Sequence, residues 1–208
     1  THASVKRRQQ LFGYTEEDLK LLLAPMANTG KEPLGSMGND TPLAALSKHS
    51  RMLFDYFTQK FAQVTNPPLD WEREKIVTSL ESAIGPEPNL LADSELHAKK
   101  ILIPLPVLNS DEMAQLKRPD RAKILGGYYK PFIVKGLYQV AGGGQALKDR
   151  LDEIFQEIDE AIENGANFLV LSDRDSNYAW GPIPSLLLTS AVQHHLLRRH
   201  TRTQISMV

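Results

Sequence analysis

Residues 145–175 read QALKDRLDEIFQEIDEAIENGANFLVLSDRD, and this stretch decides the fold. In its first part, apolar residues recur three and four positions apart with acidic residues between them, which predicts an amphipathic helix over 145–164. Gly165 is typical of a helix C-terminus, and the run from Phe168 to Leu171 predicts a buried strand. The apolar face of the helix consists of Leu147, Leu151, Ile154, Phe155, Ile158 and Ile162. A helix followed at once by a buried strand is typical of a βαβ unit in a parallel sheet.

The rest of the second half has the same alternation of strands and helices. The predicted elements are a strand over 101–108 that contains Pro104 and Pro106, a helix from Asp111 to before Pro119, a strand region over 124–134, a helix over 185–199 and the start of a strand over 204–208. This order predicts right-handed βαβ connections. We expect the sheet to be incomplete, because its last strand reaches Val208.

The first part of the chain has helical periodicity instead. We predict three helices, which run from Thr15 to Pro25 and Gly30, from Thr41-Pro42 to Asn66-Pro67-Pro68, and from Asp70 to Gly85-Pro86. Each begins with a residue that can accept hydrogen bonds from free backbone N–H groups, and each ends at Gly or Pro. The second has the apolar stripe Leu46, Leu53, Phe54, Phe57 and Phe61, and the third has Ile76, Val77, Leu80 and Ile84. We expect the aromatic stripe to lie in the core.

Together these patterns predict an α/β fold in which a helical N-terminal portion packs on a small, mostly parallel β-sheet flanked by helices. We expect residues 1–11 to be a linker and residues 12–208 to form one domain, mainly helical over 12–95 and βαβ over 96–208.

Composition excludes several classes of function. The 208 residues are 41% hydrophobic and 24% charged, as in an ordinary globular protein. A net charge of -1 and a pI of about 6.6 argue against nucleic acid or an anionic membrane as the main partner. The absence of Cys excludes disulfides, a thiolate nucleophile and a cysteine-ligated iron–sulfur cluster within this chain. No apolar run reaches the roughly 20 residues of a membrane helix, and the start lacks a secretory signal, so we predict a cytoplasmic location. A chain that starts without Met fits a piece of a longer polypeptide.

Charged residues follow the predicted strand in the segment Leu171–Asp175. In open α/β sheets, ligand-contacting residues lie at the carboxyl ends of the strands, so Asp173 and Arg174 are candidates to bind a polar substrate or a partner domain. The alternative is that they close the strand and pair with each other or with loop backbone.

Neither the histidine pair nor the glycine triplet predicts a cofactor site. Neighbouring side chains in a helix point about 100° apart, so His194 and His195 cannot chelate one metal ion. An imidazolium near a helix C-terminus is favoured by the dipole, which indicates a structural use. Gly142-Gly143-Gly144 precedes a helix but lacks the spacing of a phosphate-binding loop, so we interpret it as a flexible turn and predict no metal.

Two polar turn segments, 36–40 and 65–68, lie at opposite ends of the second predicted helix. They contain Met37, Asn39, Asp40, Thr65 and Asn66, with Gly and Pro shaping the backbone. Such a surface suits the passage of a small polar molecule or docking against another rigid surface. The alternative is that both are ordinary capping loops.

Long stretches of the chain resemble a known family. FGYTEEDLKLLLAPMANTGKEPLGSMGNDTPLAALS, LFDYFTQKFAQVTNPPLDWEREKIVTSLES, LVLSDRD and IPSLLLTSAVQHHLL are similar to the central domain of the glutamate synthase large chain. The resemblance runs from about residue 12 to the C-terminus and is looser over about 85–164.

The resemblance implies a connecting role in a larger enzyme. In that family a glutaminase domain with a Cys nucleophile precedes the central domain, and an FMN-binding (β/α)8 barrel with a three-iron cluster and then a β-helix follow it. Ammonia passes through a tunnel to 2-oxoglutarate at the barrel, and the flavin reduces the resulting 2-iminoglutarate to glutamate. The central domain, itself similar to part of such a barrel, lines part of the tunnel.

The resemblance also assigns residues. It implies that Met37, Asn39, Asp40, Thr65 and Asn66 lie nearest the tunnel and the synthase cavity, and that oxygens such as that of Thr65 pass ammonia along. Segment 171–175 and the 185–199 helix, with Asp173, Arg174, His194 and His195, are implied to face the FMN barrel.

The chain departs from the family in ways that limit these implications. It has no Cys, so it supplies neither the glutaminase nucleophile nor a cluster ligand. No barrel sequence follows Val208, and Gln193 and Arg198-Arg199-His200 stand where relatives usually have a third His and a Gly. We expect the chain alone to be inactive. The alternatives are a stand-alone enzyme with a small-molecule site near Asp173 and a purely structural spacer. An NADPH-dependent parent with a small subunit is preferred over a ferredoxin-dependent one.

Overall fold

The structure is a computed structural model that describes residues 2–30, 42, 45–48, 51–57, 60–62, 64, 68, 70–118 and 128–208. The chain divides into two compact units, Thr1–Lys60 and Phe61–Val208, and each is described by itself.

The first unit contains helices α1 (His2–Leu11) and α2 (Ala24–Thr29), with a π-helical turn, Asp18–Leu23, leading into α2. The predicted start at Thr15 is confirmed, because Thr15 Oγ1 accepts from the Asp18 N–H at 3.1 Å. In return, Asp18 Oδ2 accepts from the Thr15 N–H at 2.8 Å. The hydrogen bond from the Thr15 backbone, and then that from its hydroxyl, lower the pKa of the Asp18 carboxyl.

The predicted helix end at Pro25 is wrong. Pro25 lies in the first turn of α2, where a residue without an N–H is tolerated. The wider π-helical turn precedes it, and its Ala24 N–H bonds the Leu19 carbonyl five residues back. The helix ends instead at Gly30, the second predicted stop, with φ of 65°.

The predicted α-helix after Thr41-Pro42 is not found among the described residues of that stretch. They contain a short 3₁₀ helix, Leu53–Tyr56. Phe57 and Phe61 are 68% and 73% exposed, so the prediction that the aromatic stripe lies in the core is wrong for these two residues. Helices gain most of their stability from packing an apolar face, and these side chains remain largely exposed.

The second unit begins with α3 (Trp71–Val77), which Asp70 caps as predicted by accepting from the N–H groups of Glu72 and Arg73. The predicted continuation of this helix to Gly85 is wrong. Strand β1 (Ser82–Ile84) pairs antiparallel with β2 (Ile101–Ile103), and these two strands form the β1–β2 hairpin. Pairing with a distant segment therefore overrides the helical spacing of Ile84.

The parallel sheet contains β3 (Pro131–Lys135), β5 (Phe168–Ser172) and β7 (Ser206–Met207) in the order β3-β5-β7. Both pairings are parallel, which confirms the predicted mixed α/β fold with a mostly parallel sheet. A separate antiparallel pair, β4 (Leu137–Gln139) and β6 (Trp180–Pro182), was not predicted. The likeness to part of a (β/α)8 barrel stays a prediction.

Helices α4 (Ser110–Leu116), α5 (Gly143–Glu163) and α6 (Ser185–Arg198) complete the unit close to their predicted positions. The predicted strand over 101–108 is shorter, because β2 ends before Pro104, which cannot donate to a sheet ladder. The predicted strand over 124–134 begins only at Pro131, and residues 119–127 lie outside the described residues.

Two buried clusters hold this unit together. The larger lies between the sheet and helices α5 and α6, and its fully buried members include Val134, Ile154, Ile158, Leu169, Val192 and Leu196. The smaller packs the β1–β2 hairpin and α4 against the sheet through Ile84, Leu116, Tyr129, Phe168 and Val170. The Tyr129 hydroxyl donates to the Leu116 carbonyl at 2.8 Å, and burial raises its pKa. The central strand β5 contributes to both clusters.

The C-terminus of α5 ends as the sequence predicts. Gly165 has φ of 86°, its N–H bonds the Ile162 carbonyl and the Ala166 N–H bonds the Ala161 carbonyl. This pair of bonds is a Schellman motif, in which Gly is preferred because a Cβ is strained at positive φ.

Gly165→Ala should therefore lower the free energy of unfolding by about 1 kcal/mol, measured by urea denaturation. Gly144→Ala is the matched control, because Gly144 lies within the first turn of α5 and a Cβ there meets open space. Ala is the better helix former, so the control should be neutral or stabilising by up to about 1 kcal/mol. Equal effects of the two substitutions would contradict the assignment.

Candidate functional site

The residues predicted to line a passage lie outside the described residues. These are Met37, Asn39, Asp40, Thr65 and Asn66. Their role stays a prediction.

Asp173 and Arg174 follow β5 at its carboxyl end, as predicted. Asp173 is half-buried and Arg174 is exposed. The Arg174 backbone N–H and guanidinium donate to the hydroxyls of Ser172 and Ser110, each at 3.3 Å. Within the described part of the chain, no ion pair joins Asp173 to Arg174. Arg174 therefore links the end of β5 to the start of α4.

His195 fastens α6 to α5. Its ring stacks on Phe155 with centroids 4.5 Å apart and planes 3° apart. Its Nε2 lies 2.9 Å from Asp159 Oδ1, and Arg199 Nε forms an ion pair with the other Asp159 oxygen at 3.2 Å. His195 therefore has a structural role, as its position near the end of a helix indicates. His194 is exposed, and a role of either histidine at a domain interface stays a prediction.

The structure places Asp173 and Arg174 far along the sheet from His194 and His195. Helix α6 begins just after β6, near the carboxyl ends of the strands, and ends shortly before β7, which pairs with the first residues of β5. His194 and His195 therefore lie towards the amino edge of the sheet, whereas Asp173 and Arg174 lie at its carboxyl edge. A single partner surface has to span the sheet to contact both.

A cavity of about 440 Å³ opens at the carboxyl edge of the sheet, where ligands bind in open α/β folds. We call it the Trp180 cavity. It is lined by residues from the end of β3, from β4, from α5, from the segment between β5 and β6 and from the start of β6, which are Lys135, Leu137, Arg150, Glu153, Asp175, Asn177 and Trp180.

Arg150 is a fixed part of the cavity wall. Its Nη1 donates to Glu157 at 2.6 Å and to Glu153 at 2.9 Å, and its Nη2 donates to the Lys135 carbonyl at 3.1 Å and to Glu157 at 3.2 Å. Burial by itself lowers the pKa of the guanidinium, but the hydrogen bonds and charges of Glu157 and Glu153 outweigh it, and the pKa is raised. Four donated bonds leave this side chain little capacity for a ligand.

The opposite wall is a turn held by Asn177. Its Oδ1 accepts from the N–H groups of Ala179 and Trp180 at 2.9 and 3.2 Å, and its Nδ2 donates to the Asp175 carbonyl at 3.2 Å. Asp175 has φ of 74°, a conformation that Asp adopts more readily than most residues. The turn thus fixes the backbone beside the Trp180 ring.

Sequence reasoning did not select the residues that line this cavity. Asp175 belongs to the segment that was chosen, but Lys135, Arg150, Asn177 and Trp180 join it only through the β3–β5 and β4–β6 pairings. The available signal was Gly136, where a Cβ would lie 2.4 Å from Leu188. In the sequence, a Gly within a strand pattern indicates a close approach of another segment.

Within the described part of the chain, no group of three His, Asp or Glu side chains is placed to hold a metal ion.

The fold and the cavity at its sheet edge define a small mixed α/β domain. Residues 7–208 match the family described as glutamate synthase central domain, and the chain belongs to that family. It is 41% identical over 201 residues to the Glutamate synthase [NADPH] large chain of Bacillus subtilis, covering 97% of this chain and 13% of the relative.

Two further relatives have different names. Identity to the Glutamate synthase [NADH] of Schizosaccharomyces pombe is 40%, over 95% of this chain and 9% of the relative. Identity to the chloroplastic ferredoxin-dependent glutamate synthase of Spinacia oleracea is 41%, over 99% and 12%. The chain therefore spans only about a tenth of the length of these relatives.

Proposed function

We propose that this chain is the connecting domain of a glutamate synthase large chain. It joins a glutaminase domain to an FMN-binding synthase domain, and its segments around Met37–Asp40 and Thr65–Asn66 line part of the path of ammonia. The parent makes L-glutamate from L-glutamine and 2-oxoglutarate, and this chain alone is inactive. The family membership supports this proposal, and so does the small share of each relative that the chain covers.

The observation that carries the connecting role is the amount of apolar surface that the chain leaves open. Leu91 is 96% exposed and Val107 is 79% exposed, and Leu90, Leu102 and Leu105 are also exposed. All five lie between residues 90 and 107, around the β1–β2 hairpin. Apolar patches of this kind mark protein contact surfaces. A connecting domain needs them, because neighbouring domains of the same polypeptide cover them.

The cofactors of the parent belong to other domains in this proposal. The chain has no Cys, so it cannot hold a cysteine-ligated three-iron cluster, and FMN is assigned to the barrel. A small subunit is a partner only through the parent. Among the described residues, no helix is both long enough and apolar enough to cross a bilayer. The cytoplasmic location is part of the proposal.

Sequence identity alone does not select the electron donor. The NADPH-type chain of Bacillus subtilis and the ferredoxin-dependent chain of Spinacia oleracea are both 41% identical to this chain. We keep the NADPH-type parent as the proposal, and donor-dependent turnover of the full-length enzyme tests it.

Thr65→Val in the full-length enzyme tests the passage. Valine keeps the shape but removes the hydroxyl, and one lost hydrogen bond is worth roughly 0.5–1.5 kcal/mol. We expect glutamine-dependent reduction of 2-oxoglutarate to fall about 2- to 10-fold relative to glutamine hydrolysis. Activity with added ammonium should change less. Both rates are measured on one enzyme sample.

The matched control is Thr78→Val, since Thr78 is an exposed residue at the end of α3. It should leave the ratio of the two rates unchanged. If Thr65→Val also leaves the ratio unchanged, the domain is a structural spacer with no part in ammonia transfer at this residue.

A further inference from the structure

The Trp180 cavity has the size and position of a small-molecule site. Its volume of about 440 Å³ falls within the range of ligand pockets, roughly 300–1,000 Å³. It opens beside the carboxyl ends of β3 and β5, where residues that contact ligands collect in open α/β sheets. One wall is braced by the ion pairs of Arg150 and the other by the Asn177 turn, so both are held before any ligand arrives.

The charged groups that remain available in the cavity have opposite signs. Within the described part of the chain, neither Lys135 nor Asp175 makes an ion pair. Glu153 uses one oxygen to accept from Arg150 and keeps the other. Arg150 is already neutralised by Glu153 and Glu157. An ammonium group and carboxylate oxygens are therefore left to face a ligand, and the excess of carboxylates disfavours a purely anionic one.

The other residues that line the cavity fit a ligand side chain with a short apolar stem and an amide group. Trp180 is 46% exposed and lies with Leu137 on the same cavity, which gives an aromatic and an aliphatic surface. The Asn177 amide nitrogen donates one hydrogen bond, to the Asp175 carbonyl, and has a second N–H to offer.

From these groups the geometry points to a binding site for a zwitterionic α-amino acid with a neutral polar side chain. Lys135 binds the ligand carboxylate, Asp175 binds its ammonium group and the Trp180 ring contacts the side-chain methylenes. L-Glutamine meets each requirement and serves as the probe. This site is separate from the passage assigned to segments 36–40 and 65–68, and it stands on other residues.

NMR titration of the 208-residue chain tests this assignment. The indole N–H resonance of Trp180, identified by its loss in Trp180→Phe, is followed as L-glutamine is added. We expect saturation with a dissociation constant on the order of 1 mM, as for a ligand of this size with two exposed charge contacts. Glutaramate lacks the ammonium group and 4-aminobutanamide lacks the carboxylate. Each should bind about fivefold more weakly, because an exposed ion pair contributes up to about 1 kcal/mol.

Two variants assign the contacts. Lys135→Met should weaken L-glutamine about fivefold and leave 4-aminobutanamide unchanged, since that probe has no carboxylate. Asp175→Asn retains a residue that tolerates positive φ. It should weaken L-glutamine by a similar factor and leave glutaramate unchanged. Lys148→Met is the control, because Lys148 is exposed on α5 and does not line the cavity.

Three results overturn the proposal. They are the absence of a saturable Trp180 shift up to about 50 mM probe, the same affinity for all three probes, and an equal loss in Lys148→Met and Lys135→Met. Because each variant is compared with a probe that it should not affect, a variant that fails to fold is recognised by losing both.

Discussion

Phe168→Ala is expected to lower the free energy of unfolding by about 3–5 kcal/mol. Phe168 is fully buried in β5, the central strand of the parallel sheet. The centroid of its ring lies 5.1 Å from that of the Tyr129 ring, in the cluster that also holds Leu116 of α4 and Ile84 of β1. Truncation removes the apolar contact area and leaves a cavity where three elements meet, so the loss exceeds that of a simple transfer to water. Urea denaturation followed by circular dichroism measures it.

Tyr178→Ala is the control, because this aromatic residue of the same unit is 96% exposed. Its effect should stay within about 0.5 kcal/mol. The urea m-value should be similar in both variants, so that the midpoints report stability rather than a change in the unfolded state. A loss below about 1 kcal/mol in Phe168→Ala would contradict the position of this side chain between the sheet and the hairpin.

The segment from α5 to β5 was predictable because the interactions that define its structure are local. The spacing of Ile154 and Ile158 fixes the buried face of α5, and Gly165 ends the helix with backbone bonds to residues only a few positions away. Such features act within one or two turns of chain, where sequence patterns carry direct physical information.

The β1–β2 hairpin was not predictable in the same way. Ile76, Val77, Leu80 and Ile84 have helical spacing, but only Ile84 is buried, and it is buried as a strand residue opposite Ile101. Whether Ile84 lies in a helix or in a strand depends on pairing with a segment almost twenty positions away and on the buried cluster that packs against both strands. Local propensity is a weak prior when tertiary pairing competes with it.

The residues of the Trp180 cavity could likewise be predicted only in part from the sequence. Asp175 follows a strand and was reachable from the sequence, while Lys135 and Trp180 come from segments whose pairing had to be known first. Among the described residues after Thr41-Pro42, the structure has the short 3₁₀ helix Leu53–Tyr56 in place of the predicted long helix. Phe57 and Phe61 are 68% and 73% exposed, and apolar side chains that stay exposed stabilise a helix little.

The second large effect is expected at Lys100, which joins the β1–β2 hairpin to the loop that follows β1. The Lys100 ammonium donates to the carbonyls of Gly85 and Pro86 at 3.1 and 2.7 Å and to the Glu87 carboxylate at 2.6 Å. Its side chain is only 12% exposed. All three N–H bonds of the ammonium group are therefore used inside the protein.

The same loop holds the end of the parallel sheet. The Ser206 hydroxyl donates to the Gly85 carbonyl and accepts from the Gly85 N–H, both at 2.8 Å, and the Glu87 N–H bonds the Thr203 carbonyl at 2.7 Å. Lys100 thus stabilises the segment that fastens the hairpin to β7. Loss of the Lys100 ammonium group should therefore destabilise both the β1–β2 hairpin and the attachment of β7.

Lys100→Met keeps most of the side-chain stem and removes the charge and the three donors. We expect it to lower the free energy of unfolding by about 1–3 kcal/mol, because the Pro86 carbonyl loses its partner in a half-buried position. Hydrogen exchange should speed up at the Gly85 and Glu87 amides more than in α5. Urea denaturation and amide exchange measured by NMR give the two values.

Lys99→Met separates this contact from a general effect of removing a lysine. Lys99 is the adjacent residue, but its ammonium lies 3.5 Å from Glu95 on an exposed 3₁₀ helix and its side chain is 44% exposed. The Lys99 ammonium also lies 5.4 Å from the centroid of the Tyr128 ring. An exposed ion pair and an exposed cation–π contact contribute little, so the change should stay within about 1 kcal/mol and below that of Lys100→Met. If the two substitutions cost the same, or if exchange at Gly85 and Glu87 stays as slow as in the parent chain, Lys100 does not fasten the hairpin to the sheet. The bonds of Ser206 would then be sufficient to hold β7 in place.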